Sequence, residues 1–494
     1  MRRLLAGLGL ALGLAAPALS ATPVPSVVGP IPQTATSHAF GGGAHTGKPE
    51  DLAASGFVEE EFLVSGRANV YDWPRPGPAV VRTAGAPYTT RVLVRRPKSA
   101  GRFSGRVVVE MLNPSNLMDL NIGWAIHRDE LLRRGDAWVG ITAKPVAVVT
   151  LKTFDAQRYG SLNWANPLPA SDVRNCEPRT ATDTRETENG LVWDINSQVG
   201  AWLRSAEASN PFRYGGKASR AKHLYGWGYS QTGGFLYTYI NAIHPLTVAA
   251  DGGPMFDGYL VAVASGPSPI NQCAPAVPAG DPRRVIGAVD VPVIHVMSQS
   301  DYLGFAPLRR ADGDSAADRY RHYDFAGSGH ATPDELHYGP SPADVVKGAR
   351  TPPPLACNEG PRSRFPSRVP FNAVYRNLTA WVEKGRPPPP SQNIVVNDGA
   401  AVLDAHGNVT GGVRTPYLEV PTSTWMGNST GPSFCRIAGH EKPFDAAKLK
   451  ALYPSHQAYV AAVRRSVNEL VRARFISPED GRAVVAEARE AQVP

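Results

Sequence analysis

The feature that most constrains this chain is a series of short, almost unbroken apolar runs. Residues 106–112 (RVVVEML), 137–143 (AWVGITA), 258–264 (GYLVAVA) and 291–297 (VPVIHVM) carry apolar side chains at consecutive rather than alternate positions. Successive side chains of a strand point to opposite faces, so such a run must be covered on both. Shorter strands are expected at 223–228 and 320–326, and helical spacing lies between the runs at 124–134, 194–206 and 231–243. Strands alternating with helices imply an α/β fold with a mostly parallel central sheet, helices on both faces and right-handed crossovers. Its chemistry should sit at the carboxyl ends of the strands.

The flanks are less regular. Residues 21–56 read as an N-terminal arm or linker rich in Pro, Gly, Ser and Thr. From Phe57 a β-rich entry begins, with strands at 58–64 and 89–94. A core over 57–390 is expected, with a polar insertion near 155–190 as a candidate lid and a helix at 374–384 between Pro-rich runs. Residues 391–494 form a C-terminal extension, with short strands and turns at 393–421 and then helices. Tyr459, Val460, Val463, Val467, Leu470 and Val471 recur at the spacing of one helix face. Ser477-Pro478 starts a second helix, with Ser as N-cap and Pro at the first helical position. The 48 Gly and 46 Pro of 494 residues make the chain loop-rich, yet 42% hydrophobic residues supply a sizeable core and exclude a disordered chain.

The first twenty residues read as a targeting segment. Arg2 and Arg3 precede an apolar stretch at 4–16, and Ala18 and Ser20 are small residues three and one before a cleavage point after Ser20. The stretch is too short for a membrane anchor. Export to the periplasm or the extracellular space is therefore expected. In an oxidising compartment Cys176, Cys273, Cys357 and Cys435 should form two disulfides. Three pairings are open, and Cys176–Cys273 with Cys357–Cys435 keeps the early and the late pair together. None lies in a Cys-x-x-Cys pair, which argues against zinc. The net charge of +8 is scattered and accompanied by no nucleic-acid-binding motif, so no nucleic-acid partner is expected.

The informative motif is Leu224-Tyr225-Gly226-Trp227-Gly228-Tyr229-Ser230-Gln231-Thr232-Gly233-Gly234. A short strand runs into Gly-x-Ser and a helix starts at once. This resembles the nucleophile elbow of α/β-hydrolases, where a sharp turn exposes the Ser hydroxyl above the sheet. A side chain at Gly228 would clash with that turn. The helix start offers free N–H groups, and the N–H of Gln231 is one expected oxyanion donor. The usual motif has Gly two residues after Ser, where this chain has Thr232; Gly233-Gly234 behind it would let a looser turn form.

An acid and a histidine follow in the order this fold uses. Asp301 lies just beyond the strand at 291–297, 71 residues after Ser230, and His330 just beyond the strand at 320–326, 29 residues later. A Ser hydroxyl needs a neutral imidazole to take its proton, and a carboxylate to orient that imidazole and stabilise it once charged. Asp324 is a rival acid, read as a turn or surface residue. His322 and His337 are less well placed than His330, and His295 reads as a core histidine. The second oxyanion donor is expected from Asn113-Pro114-Ser115-Asn116. Pro114 has no N–H, which leaves Ser115 or Asn116. Trp124, Trp164 and Trp227 are expected in the core rather than around a cleft.

Several segments together extend the resemblance: Gly56-Phe57-Val58-Glu59-Glu60-Glu61, Val107-Val108-Val109-Glu110-Met111-Leu112-Asn113, Trp138-Val139-Gly140-Ile141-Thr142-Ala143, Arg158-Tyr159-Gly160-Ser161-Leu162, Gly411-Gly412-Val413-Arg414-Thr415-Pro416 and Leu452-Tyr453-Pro454-Ser455-His456. With the Gly-Tyr-Ser-Gln-Thr-Gly elbow they resemble a large group of secreted bacterial-type proteins called "alpha/beta hydrolase domain-containing". The resemblance implies an α/β-hydrolase fold and makes Thr232 ordinary for the group, but it names no substrate. The expected function is a secreted serine esterase acting on a small-molecule or polymeric ester, with no cofactor or metal and no membrane anchor. An acyltransferase or amidase on the same triad, a non-catalytic binding protein on this scaffold, and a carbohydrate-binding module near the C-terminus are the alternatives.

Overall fold

The computed structural model describes residues 20–494, without the side chains of residues 303, 305 and 307. The targeting segment lies outside the described residues, apart from Ser20. Ten strands form the main sheet: β1 (Ser26–Val28), β2 (Phe57–Asp72), β3 (Val80–Pro97), β4 (Arg106–Leu112), β5 (Ala137–Thr142), β6 (His223–Tyr229), β7 (Gly258–Ala262), β8 (Val293–Ser298), β9 (Gly313–Ser315) and β10 (Asp318–Phe325). Their spatial order is β1-β2-β3-β5-β4-β6-β7-β8-β10-β9. Every neighbour contact from β5 to β10 is parallel. Antiparallel strands close both edges, β3, β2 and β1 at one and β9 at the other. Every residue of β5, β7 and β8 is buried, which is why these strands read as unbroken apolar runs.

The alternation of β6 shows how both faces are covered. Tyr225 and Tyr229 turn toward helix Arg368–Lys384, meeting Tyr375 and Phe371, and Trp227 meets His127 of helix Ile122–Arg134. Gly226 and Gly228 point the other way, toward helix Gln231–Thr238. Large side chains on one face and none on the other let that helix approach the sheet closely. Helix Gln231–Thr238 continues as one wider turn, Tyr239–Ile243. Helix Arg368–Lys384 begins earlier than the expected 374, because Pro370 sits in the first turn, where its missing N–H costs nothing.

Two expectations about the flanks are corrected. β2 and β3 are longer than the strands expected at 58–64 and 89–94 and form a hairpin that runs through Gly66, Gly85 and Pro87. Cross-strand pairs tie it together, with Arg95 Nε on Glu59 Oε2 at 2.8 Å and Arg91 Nε on Glu61 Oε1 at 2.6 Å. The N-terminal arm is not an extended linker. Ala39 and Phe40 are buried, Arg91 Nη2 donates to the Phe40 carbonyl at 2.6 Å and Arg95 Nη2 to that of Gly41 at 2.9 Å. These guanidiniums need acceptors because they are themselves buried, and the arm supplies them.

The insertion is irregular from residue 160 to 188 and is tied to the core by Cys176–Cys273. The second disulfide is Cys357–Cys435. In the C-terminal extension, Tyr459, Val460, Val463 and Val467 of helix His456–Arg472 pack with Val484 of helix Pro478–Glu490 and with Val369 of the core. Ser477 caps the last helix by accepting from Asp480 N at 3.0 Å. No helix among the described residues is long and apolar enough to cross a membrane.

Candidate active site

Ser230 sits between β6 and helix Gln231–Thr238 with φ 56° and ψ −116°. A side chain rarely adopts a positive φ, and the local structure must hold it there. Three features do so. Ser230 N donates to the Ala262 carbonyl at 2.9 Å. A Cβ on Gly228 would lie 2.3 Å from the Thr232 carbonyl, so only Gly fits two residues before the Ser. Thr232 is fully buried; its Oγ1 accepts from Tyr229 N at 3.1 Å and lies 3.2 Å from the Tyr229 carbonyl. The departure from the usual motif is thus a hydroxyl that cross-links the turn.

His330 follows β10 and Asp301 follows β8. His330 Nε2 lies 2.8 Å from Ser230 Oγ, and His330 Nδ1 lies 2.9 Å from Asp301 Oδ2. The same Asp301 oxygen accepts from Ser298 Oγ at 2.5 Å. His330 is buried, and burial disfavours its charge; the Asp301 carboxylate, its hydrogen bond and Glu335 act the other way and hold the pKa above 6.5. The backbone of His330 is pinned as well. Its N–H donates to the Ile437 carbonyl at 2.8 Å, and its carbonyl accepts from Tyr229 OH at 2.7 Å. A Cβ on Gly329 would lie 2.2 Å from the Ala438 carbonyl, so the loop carrying the histidine passes directly against the C-terminal extension.

The rivals lie elsewhere. Asp324 is fully buried, not a surface residue. It pairs with Arg309, lies 2.8 Å from His322 Nε2 and accepts from Ile394 N at 3.0 Å. His322 stacks on the buried His295. His337 lies on the turn Asp334–His337, 3.8 Å from Asp334 Oδ1. Trp124, Trp164 and Trp227 are core residues, as expected.

Ser230 and His330 open into a small cleft. Asn116, Leu120, Ile122, Glu335 and Phe434 are among its walls. Of the two oxyanion candidates, Ser115 has its N–H engaged by Asn113 Oδ1 at 2.8 Å. The N–H groups of Asn116 and Gln231 make no hydrogen bond to a described residue. A second hollow reaches Gln231 and is lined by Trp193 and the insertion residues Arg179 and Asp183. A larger hollow lies among the C-terminal helices and touches none of Ser230, Asp301 and His330.

The sequence reading missed Glu335 and Phe434. Nothing marks Glu335 five residues past the histidine, and Phe434 arrives only through the packing of the extension. The one available signal was Cys435 beside it, whose disulfide fixes that loop. His38, His45 and Asp344 bring ligand-type atoms within 4.8 Å of one another. The two rings stack 3.5 Å apart at 13°, so their lone pairs lie in nearly parallel planes and do not converge on one ion.

A family model described as "Alpha/beta hydrolase domain" matches residues 27–486. No curated protein matches the chain. Among solved structures, an esterase from Pseudomonas putida is 14% identical, with 61% of this chain and 82% of that one covered and a TM-score of 0.30. A fungal esterase from Rhizomucor miehei is 10% identical, with 59% and 81% covered and a TM-score of 0.29. Esterase 2 of Thermogutta terrifontis is 7% identical, with 48% and 78% covered and a TM-score of 0.26.

Proposed function

Because the chain belongs to the alpha/beta hydrolase domain family, we propose that it is an exported serine hydrolase that cleaves carboxylic esters through an acyl-enzyme. The observation that carries this reading is the unbroken hydrogen-bond chain from Ser230 Oγ through His330 to Asp301, at 2.8 and 2.9 Å.

In the first half-reaction, His330 Nε2 takes the Ser230 proton as Oγ attacks the ester carbonyl. Asp301 accepts from His330 Nδ1–H, which keeps Nε2 available as base and stabilises the imidazolium that forms. The N–H groups of Gln231 and Asn116 receive the negative charge that develops on the carbonyl oxygen. The imidazolium then protonates the departing alcohol, leaving the acyl group on Ser230. In the second half-reaction, His330 activates a water that attacks the acyl-enzyme, and Ser230 regains its proton. None of these steps needs a cofactor.

Export rests on the N-terminal segment and on the two disulfides, which persist in an oxidising compartment. The insertion is suited to act as a cover over the Gln231 side of the site. Labelling by a fluorophosphonate tests the central reading. Ser230 should carry the label, the unlabelled protein should release p-nitrophenol from p-nitrophenyl acetate, and Ser230→Ala should lose both. Acetate hydrolysis retained within about tenfold in that variant would overturn it, since a triad member is worth orders of magnitude more.

A further inference from the structure

Glu335 touches no reacting atom in the mechanism above and acts there only through its charge beside His330, yet it lines the same small cleft as Ser230 and His330. Its residue is only 7% exposed. Oε1 accepts from Arg362 Nη1 at 3.3 Å, and Oε2 makes no hydrogen bond to a described residue. Arg362 is also buried, and its Nε and Nη2 have no partner among the described residues. This is therefore an isolated buried ion pair, an arrangement that contributes little to stability compared with apolar residues of similar volume. It leaves an acceptor oxygen of a cleft-lining side chain without a protein partner among the described residues, free to accept from a bound ligand.

We infer that Glu335 is a specificity-determining residue that reads a hydroxyl group near the scissile bond, so that the substrates are hydroxylated esters. This rests on the serine-hydrolase reading. The choice of a hydroxyl follows from the neighbours. An anionic substituent would meet the Glu335 carboxylate. A cationic one finds its charge partner already taken, because Arg362 pairs with Glu335. Leu120, Ile122 and Phe434 are apolar walls of the cleft and suit a short carbon chain, while Asn113, Ser115 and Asn116 make its polar side. Burial, only partly offset by Arg362, lifts Glu335 to about 7. At neutral pH the group is thus present in both forms, and a hydroxyl, being donor and acceptor at once, can bond to either.

The test compares matched esters by pH-stat titration of the acid released. Ethyl butyrate against ethyl 3-hydroxybutyrate probes the acyl side, and propyl butyrate against glyceryl monobutyrate probes the alcohol side. Ethyl 3-aminobutyrate supplies the cation. The native protein should favour the hydroxylated member of at least one pair by about tenfold or more in kcat/KM, as expected for a hydrogen bond to a charged group. Replacing the pair with apolar residues of similar size, Glu335→Leu with Arg362→Met, should erase that ratio. Glu335→Gln keeps the size and loses the charge, and should reduce the ratio by about fivefold even if the double variant does not fold. Equal rates within both pairs, a ratio unchanged in Glu335→Gln, or a preference for the amino ester would overturn the assignment. A native protein that neither takes the fluorophosphonate label nor hydrolyses any of the five esters would overturn the hydrolase reading itself.

Discussion

Replacing Thr232 with Val changes one hydroxyl to a methyl at a fully buried position and leaves the volume nearly constant. The hydroxyl accepts from Tyr229 N at 3.1 Å, and no water can reach the site to replace it. In Thr232→Val that N–H is buried without its partner, which costs about 1–3 kcal/mol. The loss falls on a turn already held at φ 56°, so Ser230 should relax away from His330. A displacement approaching 1 Å lowers the chemical step by about a hundredfold. Scanning calorimetry reads the first effect. The midpoint should fall by roughly 2 °C per kcal/mol or less, since the shift shrinks with chain length. Burst-phase kinetics with p-nitrophenyl acetate read the second, and acylation should slow much more than KM changes. Thr232→Ser keeps the hydroxyl and should recover most of the acylation rate. If Thr232→Val acylates like the native protein, or Thr232→Ser is no better than Thr232→Val, the hydroxyl does not hold the elbow.

Three further outcomes are expected. Asp301→Asn should stay folded and lose several orders of magnitude in kcat, whereas Asp324→Asn should lower the melting temperature and leave the kcat of the folded protein close to native; exchanged outcomes would make Asp324 the acid. The rate kcat/KM should rise with pH through an ionisation above 6.5, because His330 must lose a proton that Asp301 and Glu335 hold on it; a midpoint below about 6 in a pH–rate profile would remove His330 as the base. Thiol titration of the denatured, unreduced protein should find no free thiol, and Cys435→Ser should damage acylation more than Cys176→Ser, because only the former loosens the loop carrying Phe434 and Ile437. Equal effects would separate that bridge from the site.

The parallel sheet was legible because burial on both faces forces apolar residues at consecutive positions, as in β5, β7 and β8. The grouping of Ser230, Asp301 and His330 was legible because each follows a strand of that sheet. What could not be read depends on contacts between distant segments. The hairpin of β2 and β3 continues through Gly66 and Pro87 because its partner strand supplies the hydrogen bonds. The arm is buried because Arg91 and Arg95, some fifty residues later, require its carbonyls. Asp324 looked like a surface residue because its partners, Arg309 and the N–H of Ile394, are set by tertiary packing. Ser115 was an open choice because only the side chain of Asn113 decides it.

The same long-range dependence makes the C-terminal extension part of the site rather than an appendage. A histidine on a loop is useful as a base only if its ring stays within hydrogen-bond reach of both Ser and Asp. Here the loop takes its fixed points from outside the sheet. Ile437 accepts from the N–H groups of His330 and Ala331 at 2.8 and 3.1 Å, and Ser300, beside Asp301, donates to the carbonyls of Gly427 and Ile437. One short segment therefore braces the loops of Asp301 and His330 together, and Phe434 of the same segment lines the cleft. The Cys357–Cys435 bridge holds that segment against the chain just before helix Arg368–Lys384, which packs on β7 and β8. The bracing is mutual, since Gly329 has room only for a hydrogen where Ala438 passes.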